Sequence, residues 1–122
     1  MTDEIMFTKT HEWLKDLGDG RYAIGITDYA QQELGNIVYA GLPTVGDIVA
    51  AGTAFADVES VKAVSDVLSP VNGTVVEINE QLIDAPELIN DTPFEAWFAI
   101  VESDGGDDLM TAEEYEEYLK TL

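Results

Sequence analysis

The chain has 122 residues, of which 46% are hydrophobic, and a formal net charge of -20. This length fits a single domain spanning residues 1–122, and so apolar a composition excludes an intrinsically disordered chain. The negative charge makes nucleic acid and anionic membranes poor partners and favours basic protein surfaces, although solubility alone is an alternative explanation.

Missing residue types exclude several kinds of site. The chain has no cysteine, which excludes disulfides, thiolate zinc sites and cysteine nucleophiles. Its single histidine, His11, argues against a histidine metal site or a catalytic triad, and we expect no metal. The start of the chain lacks a signal or transit pattern, and no stretch is apolar enough to span a bilayer. We therefore expect a cytoplasmic bacterial protein, or a mitochondrial one if a presequence has been removed.

The first third of the chain alternates strand and turn patterns. EWLKDL and RYAIGI are strand-like runs, and the GDG between them is typical of a hairpin turn. TDYAQQELG predicts a short helix that begins after Thr27 and ends at Gly35. NIVYAGL then predicts a strand that Pro43 closes.

A weak internal repeat follows. PTVGDIV begins at Pro43 and PVNGTVV begins at Pro70, and each combines a turn with the start of an apolar strand. The repetition indicates two similar half-sheets that face each other, with coincidence between short motifs as the alternative.

Lys62 lies between the two copies of this motif. FADVES and AVSDVL flank it as predicted strands, and the intervening SVK is too short for a long loop. We therefore predict a tight turn with Lys62 at its exposed tip, although the usual Asn-Gly pair is absent. The inward-facing residues are expected to be Phe55, Val58, Val64 and Val67.

The last third adds short helices around one more strand. APELIN predicts a helix with Pro86 near its first turn, AWFAIVE a strand, and SDGGDD an acidic loop. TAEEYEEYL predicts a terminal helix in which Thr111 and Glu114 have capping-box spacing. The acids of this region form either a solvated face or a docking surface. The whole order of elements predicts a mainly β fold, typical of small barrels or sandwiches.

Four roles are conceivable for Lys62. An ordinary surface lysine needs no explanation, and a lone phosphate ligand conflicts with the negative field of the chain. A Schiff-base lysine should be buried, whereas Glu59 and Asp66 would keep an exposed amine charged. A site of covalent attachment fits best, because a modifying enzyme can reach an amine at the tip of a stiff hairpin.

The segment VESVKAVSDVLSPVNGTVVEIN closely resembles the lipoyl-attachment segment of the glycine cleavage system H protein family. The resemblance continues in THEW, AIGITDYAQQELG, LPTVGD and PELINDTPFEAW, and covers residues 7–118. Biotin carriers usually place their lysine between methionines, and lipoyl domains of 2-oxo acid dehydrogenases usually carry Asp-Lys-Ala. In this chain the residues that flank the attachment lysine are Glu59, Ser60, Val61 and Ala63.

The resemblance implies a barrel-sandwich hybrid of two small antiparallel sheets, with short peripheral helices and a C-terminal helix. It implies lipoate bound covalently to Lys62 and a monomeric carrier that is not an enzyme. Glycine decarboxylase, which uses pyridoxal phosphate, would load an aminomethyl group onto the carrier. An aminomethyltransferase would pass the one-carbon unit to tetrahydrofolate, and dihydrolipoyl dehydrogenase would reoxidise the carrier. Lipoate-attaching enzymes would modify Lys62.

The resemblance also implies a surface cleft that holds the lipoyl arm of Lys62 when this arm carries the aminomethyl group, referred to below as the loaded arm. The matching positions are Thr10, Glu12 and Asp66, whose oxygens can hold a protonated amine, although Glu12 and Asp66 are also simply two of 25 acids. His11 should face away from Glu12 and is given no role. Two other readings stay open: an H-like lipoyl carrier in lipoate relay or another lipoyl-dependent pathway, and an unmodified acidic interaction module.

Overall fold

Nine strands and four helices form the part of the chain that the structure, a computed structural model, describes: residues 5–105 and 109–122. One sheet has the order β1-β2-β3-β9-β8-β5 and the other β4-β6-β7, with antiparallel neighbours throughout. The predicted mainly β fold of two antiparallel sheets, with short helices and a C-terminal helix, is confirmed. The elements are β1 Ile5–Phe7, β2 Glu12–Gly18, β3 Arg21–Ile26, α1 Asp28–Leu34, β4 Ile37–Gly41, β5 Ile48–Val49, β6 Ala54–Ser60, β7 Val64–Leu68, β8 Gly73–Ile78, α2 Gln81–Asp84, α3 Leu88–Asp91, β9 Ala99–Glu102 and α4 Ala112–Leu119.

The core holds the two sheets together because side chains from both meet in one apolar cluster, which includes Ile26 of β3 and Val58 of β6. Val58 and Val67 are each 1% exposed, as predicted, and Phe55 is half-buried against two clusters. The prediction for Val64 was wrong, since this side chain is 65% exposed. Val64 and Val67 are three positions apart, so strand alternation places them on opposite faces of β7.

The predicted hairpin and first helix are confirmed. Gly18 and Gly20 adopt positive φ angles in the turn between β2 and β3, where a side chain would be strained. The hydroxyl of Thr27 accepts the backbone N–H of Ala30 at 3.2 Å, and Gly35 ends α1 at a φ of 80°. The chain therefore enters and leaves α1 at defined residues, which fixes the loop that follows.

The repeated motif does not form two facing half-sheets, so that prediction was wrong. Both copies lie in the six-stranded sheet, where Ile48 pairs with Thr74 and Val49 pairs with Gly73. The strand β5, from the first copy, has only two residues, and β8, from the second copy, supplies its backbone hydrogen-bond partners. A turn followed by an apolar strand suits adjacent antiparallel strands as well as opposed sheets.

The C-terminal elements differ from prediction mainly at their boundaries. The strand predicted in AWFAIVE begins only at Ala99, the helix in APELIN begins at Leu88 after Pro86, and α2 was not predicted. The terminal helix has the predicted capping box between Thr111 and Glu114. Residues 106–108 of the predicted acidic loop lie outside the described residues. Across the described ranges, no helix is long and apolar enough to cross a membrane.

Candidate attachment site and neighbouring cavity

The turn between β6 and β7 places Lys62 at an exposed tip, as predicted. The Ser60 hydroxyl oxygen accepts the backbone N–H groups of Lys62 and Ala63, each at 3.1 Å. The backbone N–H of Ser60 donates to the Ala63 carbonyl at 2.8 Å. A serine side chain thus closes this turn by satisfying its backbone donors, which explains how the turn forms without an Asn-Gly pair.

A second set of hydrogen bonds ties the tip to the rest of the molecule. The backbone N–H of Val61 donates to the carbonyl of Asn36 at 3.1 Å. The Asn90 side chain holds the residues on either side of Asn36, because it accepts the Ile37 N–H at 2.8 Å and donates to the Gly35 carbonyl at 2.9 Å. The tip therefore has a fixed position as well as an exposed one.

The surroundings of Lys62 leave its amine free for chemistry. Among the described residues, the ion pairs are Arg21–Glu102 and Lys120–Glu117, so the Lys62 amine has no carboxylate within 4.0 Å there. Its aliphatic stem passes the end of α1, where a methyl group added to Gly35 would lie 3.3 Å from Lys62 Cε. An exposed lysine of this kind suits modification by another enzyme and does not suit Schiff-base catalysis, which needs desolvation.

A cavity of about 630 Å³ contains the second predicted feature, the carboxyl group of Glu12. Glu12 is only 3% exposed, although its side chain is acidic. The cavity opens between the start of β2 and the end of β7. Its lining residues are Thr8, Lys9, Thr10, Glu12, Ala51, Gly52, Leu68, Ser69, Pro70, Leu109 and Met110.

Three donors converge on Glu12. The Thr8 hydroxyl donates to Oε1 at 2.7 Å, the Thr10 hydroxyl donates to the same oxygen, and the Leu68 backbone N–H donates to Oε2 at 3.4 Å. Burial raises the pKa of Glu12, while the hydrogen bonds from Thr10, Thr8 and Leu68 lower it. In the described part of the chain no basic group lies within 4.0 Å of this carboxyl group. The site is therefore suited to a guest that brings a positive charge or a hydrogen-bond donor.

The structure brings two of the three predicted cleft residues together. Thr10 and Glu12 share a hydrogen bond and line the same cavity, whereas Asp66 is exposed and is not part of that lining. Asp66 lies on β7, as Leu68 does, and pairs with Asp57 of β6. Its place in an arm cleft stays a prediction.

Sequence reasoning missed Thr8 and the residues before α4. The chain turns between Thr8 and His11, where the His11 N–H donates to the Thr8 carbonyl at 3.1 Å, and this turn brings the Thr8 and Thr10 hydroxyls to Glu12. Two threonines just before an acidic residue were the available signal. Met110 has no such signal, because it reaches the cavity through backbone hydrogen bonds with Phe7 of 2.7 and 2.8 Å. Leu109, the residue before Met110, lines the cavity as well.

His11 belongs to a different group of side chains, as expected. Its Nδ1 lies 2.8 Å from the Tyr115 hydroxyl, and its ring lies 4.5 Å from that of Tyr29. Burial lowers the pKa of His11, while the charge of Glu33 raises it. Within residues 5–105 and 109–122, no group of three or more histidine and acidic side chains could hold a metal ion.

Comparisons with known proteins agree on one family. Residues 5–122 match the family described as "Glycine cleavage H-protein". The "Glycine cleavage system H protein" of Lachnoclostridium phytofermentans is 54% identical over 97% of this chain and 94% of its own. The protein of the same name from Vibrio parahaemolyticus is 49% identical over 100% of this chain and 98% of its own. The crystal structure of a glycine cleavage system H protein from Mycobacterium marinum superposes with a TM-score of 0.90, at 35% identity over the whole of both chains.

Proposed function

Because the chain belongs to the glycine cleavage H-protein family, whose members are lipoyl carriers and not enzymes, we propose that Lys62 carries lipoate through an amide bond. The observation that carries this proposal is the exposed tip that Ser60 closes and Asn36 anchors. An accessible amine on a fixed turn can be acylated by a separate enzyme that supplies an activated acyl donor. The flanking residues Glu59, Val61 and Ala63 are the surface that such an enzyme meets first.

The residues around the tip and the cavity fit the proposed cofactor. Acylation removes the charge of Lys62, and no ion pair among the described residues is lost with it. Lipoate supplies a cyclic disulfide on a long arm, and disulfides exchange with thiolates that can reach them. The chain itself has no cysteine that could compete in such exchange.

We propose that the Glu12 cavity receives the positively charged end of the loaded arm. An ammonium group offers hydrogen bonds and a positive charge to the Glu12 carboxyl group, and an ammonium beside this carboxyl favours its ionised form. Thr8 and Thr10 hold that carboxyl group in place, and burial keeps it away from water. Asp66 remains a proposed contact on the exposed face of β7, outside the cavity.

The proposed partners are the other components of glycine cleavage. Glycine decarboxylase gives the carrier an aminomethyl unit, an aminomethyltransferase takes it for tetrahydrofolate, and dihydrolipoyl dehydrogenase restores the carrier. The charge of -20 favours partners that present basic surfaces. We also propose that the protein acts in the cytoplasm, with which the bacterial and archaeal sources of its relatives are compatible.

Intact mass of the protein purified from its own cells tests the attachment, with fragmentation to locate any added group. We expect a lipoyl-sized addition on Lys62 and none on Lys62→Arg, which keeps the charge but cannot form the amide. An unmodified Lys62, in cells that lipoylate their other carriers, would refute the proposal. Incubation of the lipoylated chain with glycine decarboxylase and glycine labelled at its α-carbon then separates glycine cleavage, in which the labelled aminomethyl unit is transferred to the chain and the carboxyl group leaves as carbon dioxide, from other lipoyl-dependent pathways.

A further inference from the structure

A second cavity, of about 330 Å³, lies between the start of α1 and the face of α4. Neither attachment at Lys62 nor binding at Glu12 uses it. Its volume is at the lower end of the roughly 300–1,000 Å³ range of small-ligand pockets, so it has room for one side chain more readily than for a large ligand. The residues that decide its chemistry are four aromatic side chains, Phe7, Tyr29, Phe94 and Tyr115, and two acidic ones, Asp28 and Glu116.

The aromatic side chains form a rigid apolar wall. The rings of Phe7 and Tyr115 stack with centroids 4.7 Å apart and planes inclined by 8°, and Phe94 packs edge-on against Phe7 at 6.2 Å. The Tyr115 hydroxyl is fixed by Thr27 and His11, each at 2.8 Å. Phe94 is 39% exposed, which is a large exposure for a phenylalanine beside a cavity.

The two acidic side chains give this wall a negative edge. Asp28 is held by the side-chain amides of Gln31 and Gln32 at 2.8 and 2.6 Å, and Glu116 is exposed on α4. Neither acid has an ion-pair partner among the described residues. Aromatic faces and carboxylates both attract cations, and the planar guanidinium of arginine can stack on a ring while it pairs with a carboxylate.

The cavity and Lys62 lie at opposite ends of the same helix. Asp28 and Tyr29 in the first turn of α1 line the cavity, and Gly35, just after its last turn, lies against the Lys62 stem. Seven helical residues at about 1.5 Å each span ~10 Å, which is short compared with the face of an enzyme. A protein that acts at the tip is therefore close enough to reach this cavity at the same time.

We infer that the cavity between α1 and α4 receives an arginine side chain from the basic surface of a protein partner that acts at Lys62. The inference rests on the proposed carrier function. It assigns part of the recognition to the folded domain, at a place other than the arm. The charge complementarity between a chain of net charge -20 and a basic partner favours an arginine over an apolar side chain as the occupant.

Steady-state kinetics of the lipoylated full-length chain with glycine decarboxylase and with the aminomethyltransferase tests this inference. The double variant Asp28→Asn/Glu116→Gln removes two charges from the cavity and keeps its shape. The matched control Glu33→Gln/Glu113→Gln removes one exposed charge from each of the same two helices, at positions that neither line the cavity nor form an ion pair among the described residues. We expect the cavity variant to raise the KM for the chain about tenfold with at least one enzyme, equivalent to ~1.4 kcal/mol, at unchanged kcat. The control should change it less than about twofold, and ~1 M salt should narrow the difference because charges are then screened within ~3 Å.

Each other outcome has a definite meaning. Equal increases of KM in the cavity variant and the control would overturn the inference, because the overall charge would then explain both. An unchanged KM in both variants would also overturn it, because no partner would then depend on this cavity. A wild-type chain that is never loaded would refute the proposed function as well, whereas a loaded wild type with unaffected variants refutes the inference alone.

Nuclear magnetic resonance of the unmodified chain provides a readout that does not depend on lipoate. Titration with N-acetyl-arginine methylamide should shift the resonances of Tyr29 and Tyr115, and the uncharged citrulline analogue should not. The spectrum of each variant also shows that it is folded. Binding of the arginine amide without any effect of the cavity variant on KM would mean that the cavity takes small free cations, and would overturn the assignment to a protein partner.

Discussion

Asn90 should control the position of the Lys62 tip, although its side chain does not contact Lys62. Asn90→Ala removes three hydrogen bonds: from the Ile37 N–H at 2.8 Å, and to the Gly35 carbonyl and the Gln31 side chain at 2.9 Å each. At about 0.5–1.5 kcal/mol each, their loss amounts to roughly 1.5–4.5 kcal/mol. Alanine favours the helical state of α3 by up to ~0.7 kcal/mol, which leaves an expected net loss of about 1–4 kcal/mol.

Urea unfolding followed by tryptophan fluorescence measures this loss, since Trp13 is buried in the folded chain. Asn36→Ala is the matched control, because Asn36 contributes its backbone carbonyl to the tip and keeps that carbonyl as alanine. Hydrogen exchange at the Val61 amide should accelerate in Asn90→Ala more than in the control. A loss below about 0.5 kcal/mol, or an unchanged Val61 amide, would show that the tip is held by other contacts.

Three further changes test the Glu12 cavity, the six-stranded sheet and the hydroxyl group of Tyr115. Burial raises the pKa of Glu12 above its ordinary 4.5, so folding takes up a proton and wild-type stability should fall as pH rises from 4.5 through the raised pKa. Urea unfolding between about pH 4 and pH 7 should show that Glu12→Gln lacks this part of the decline; parallel pH profiles would contradict it. Gly73→Ala should cost about 1–3 kcal/mol in urea unfolding, because the new methyl carbon would overlap the Glu102 carbonyl oxygen in the neighbouring strand; an unchanged midpoint would show that the strands move apart freely. Tyr115→Phe removes the hydrogen bonds of the Tyr115 hydroxyl with His11 and with the buried Thr27 and should cost about 1–3 kcal/mol by the same measurement; a loss below ~0.5 kcal/mol would mean that water replaces the hydroxyl.

Local patterns were sufficient to predict elements, and insufficient wherever a distant residue decides the outcome. The spacing around Lys62 predicted the turn, because few residues were available to reverse the chain. The support from Asn90 depends on a contact between α3 and the loop after α1, which no local pattern encodes. Val64 is a strong strand former, yet the face that it occupies depends on which of its neighbours is buried.

The candidate site shows the same division between local and distant information. Thr10 and Glu12 come from one short segment and could be grouped from the sequence, whereas Leu68 and Met110 reach the cavity from remote parts of the chain. The repeated Pro-x-x-Gly motif was visible in the sequence, but its two copies could pair or oppose each other. Only the register of Val49 with Gly73 decides between these arrangements.

The hydrogen bonds that close the Lys62 turn come from backbone groups and from Ser60, so the lysine side chain takes no part in them. The newly synthesised chain can therefore complete its fold with an unaltered lysine. On the proposed attachment, modification would follow folding, and the modifying enzyme would meet a finished surface instead of a nascent segment. A modified chain whose arm carries no charged group should therefore unfold as readily as the unmodified chain, because acylation at the tip breaks none of these hydrogen bonds.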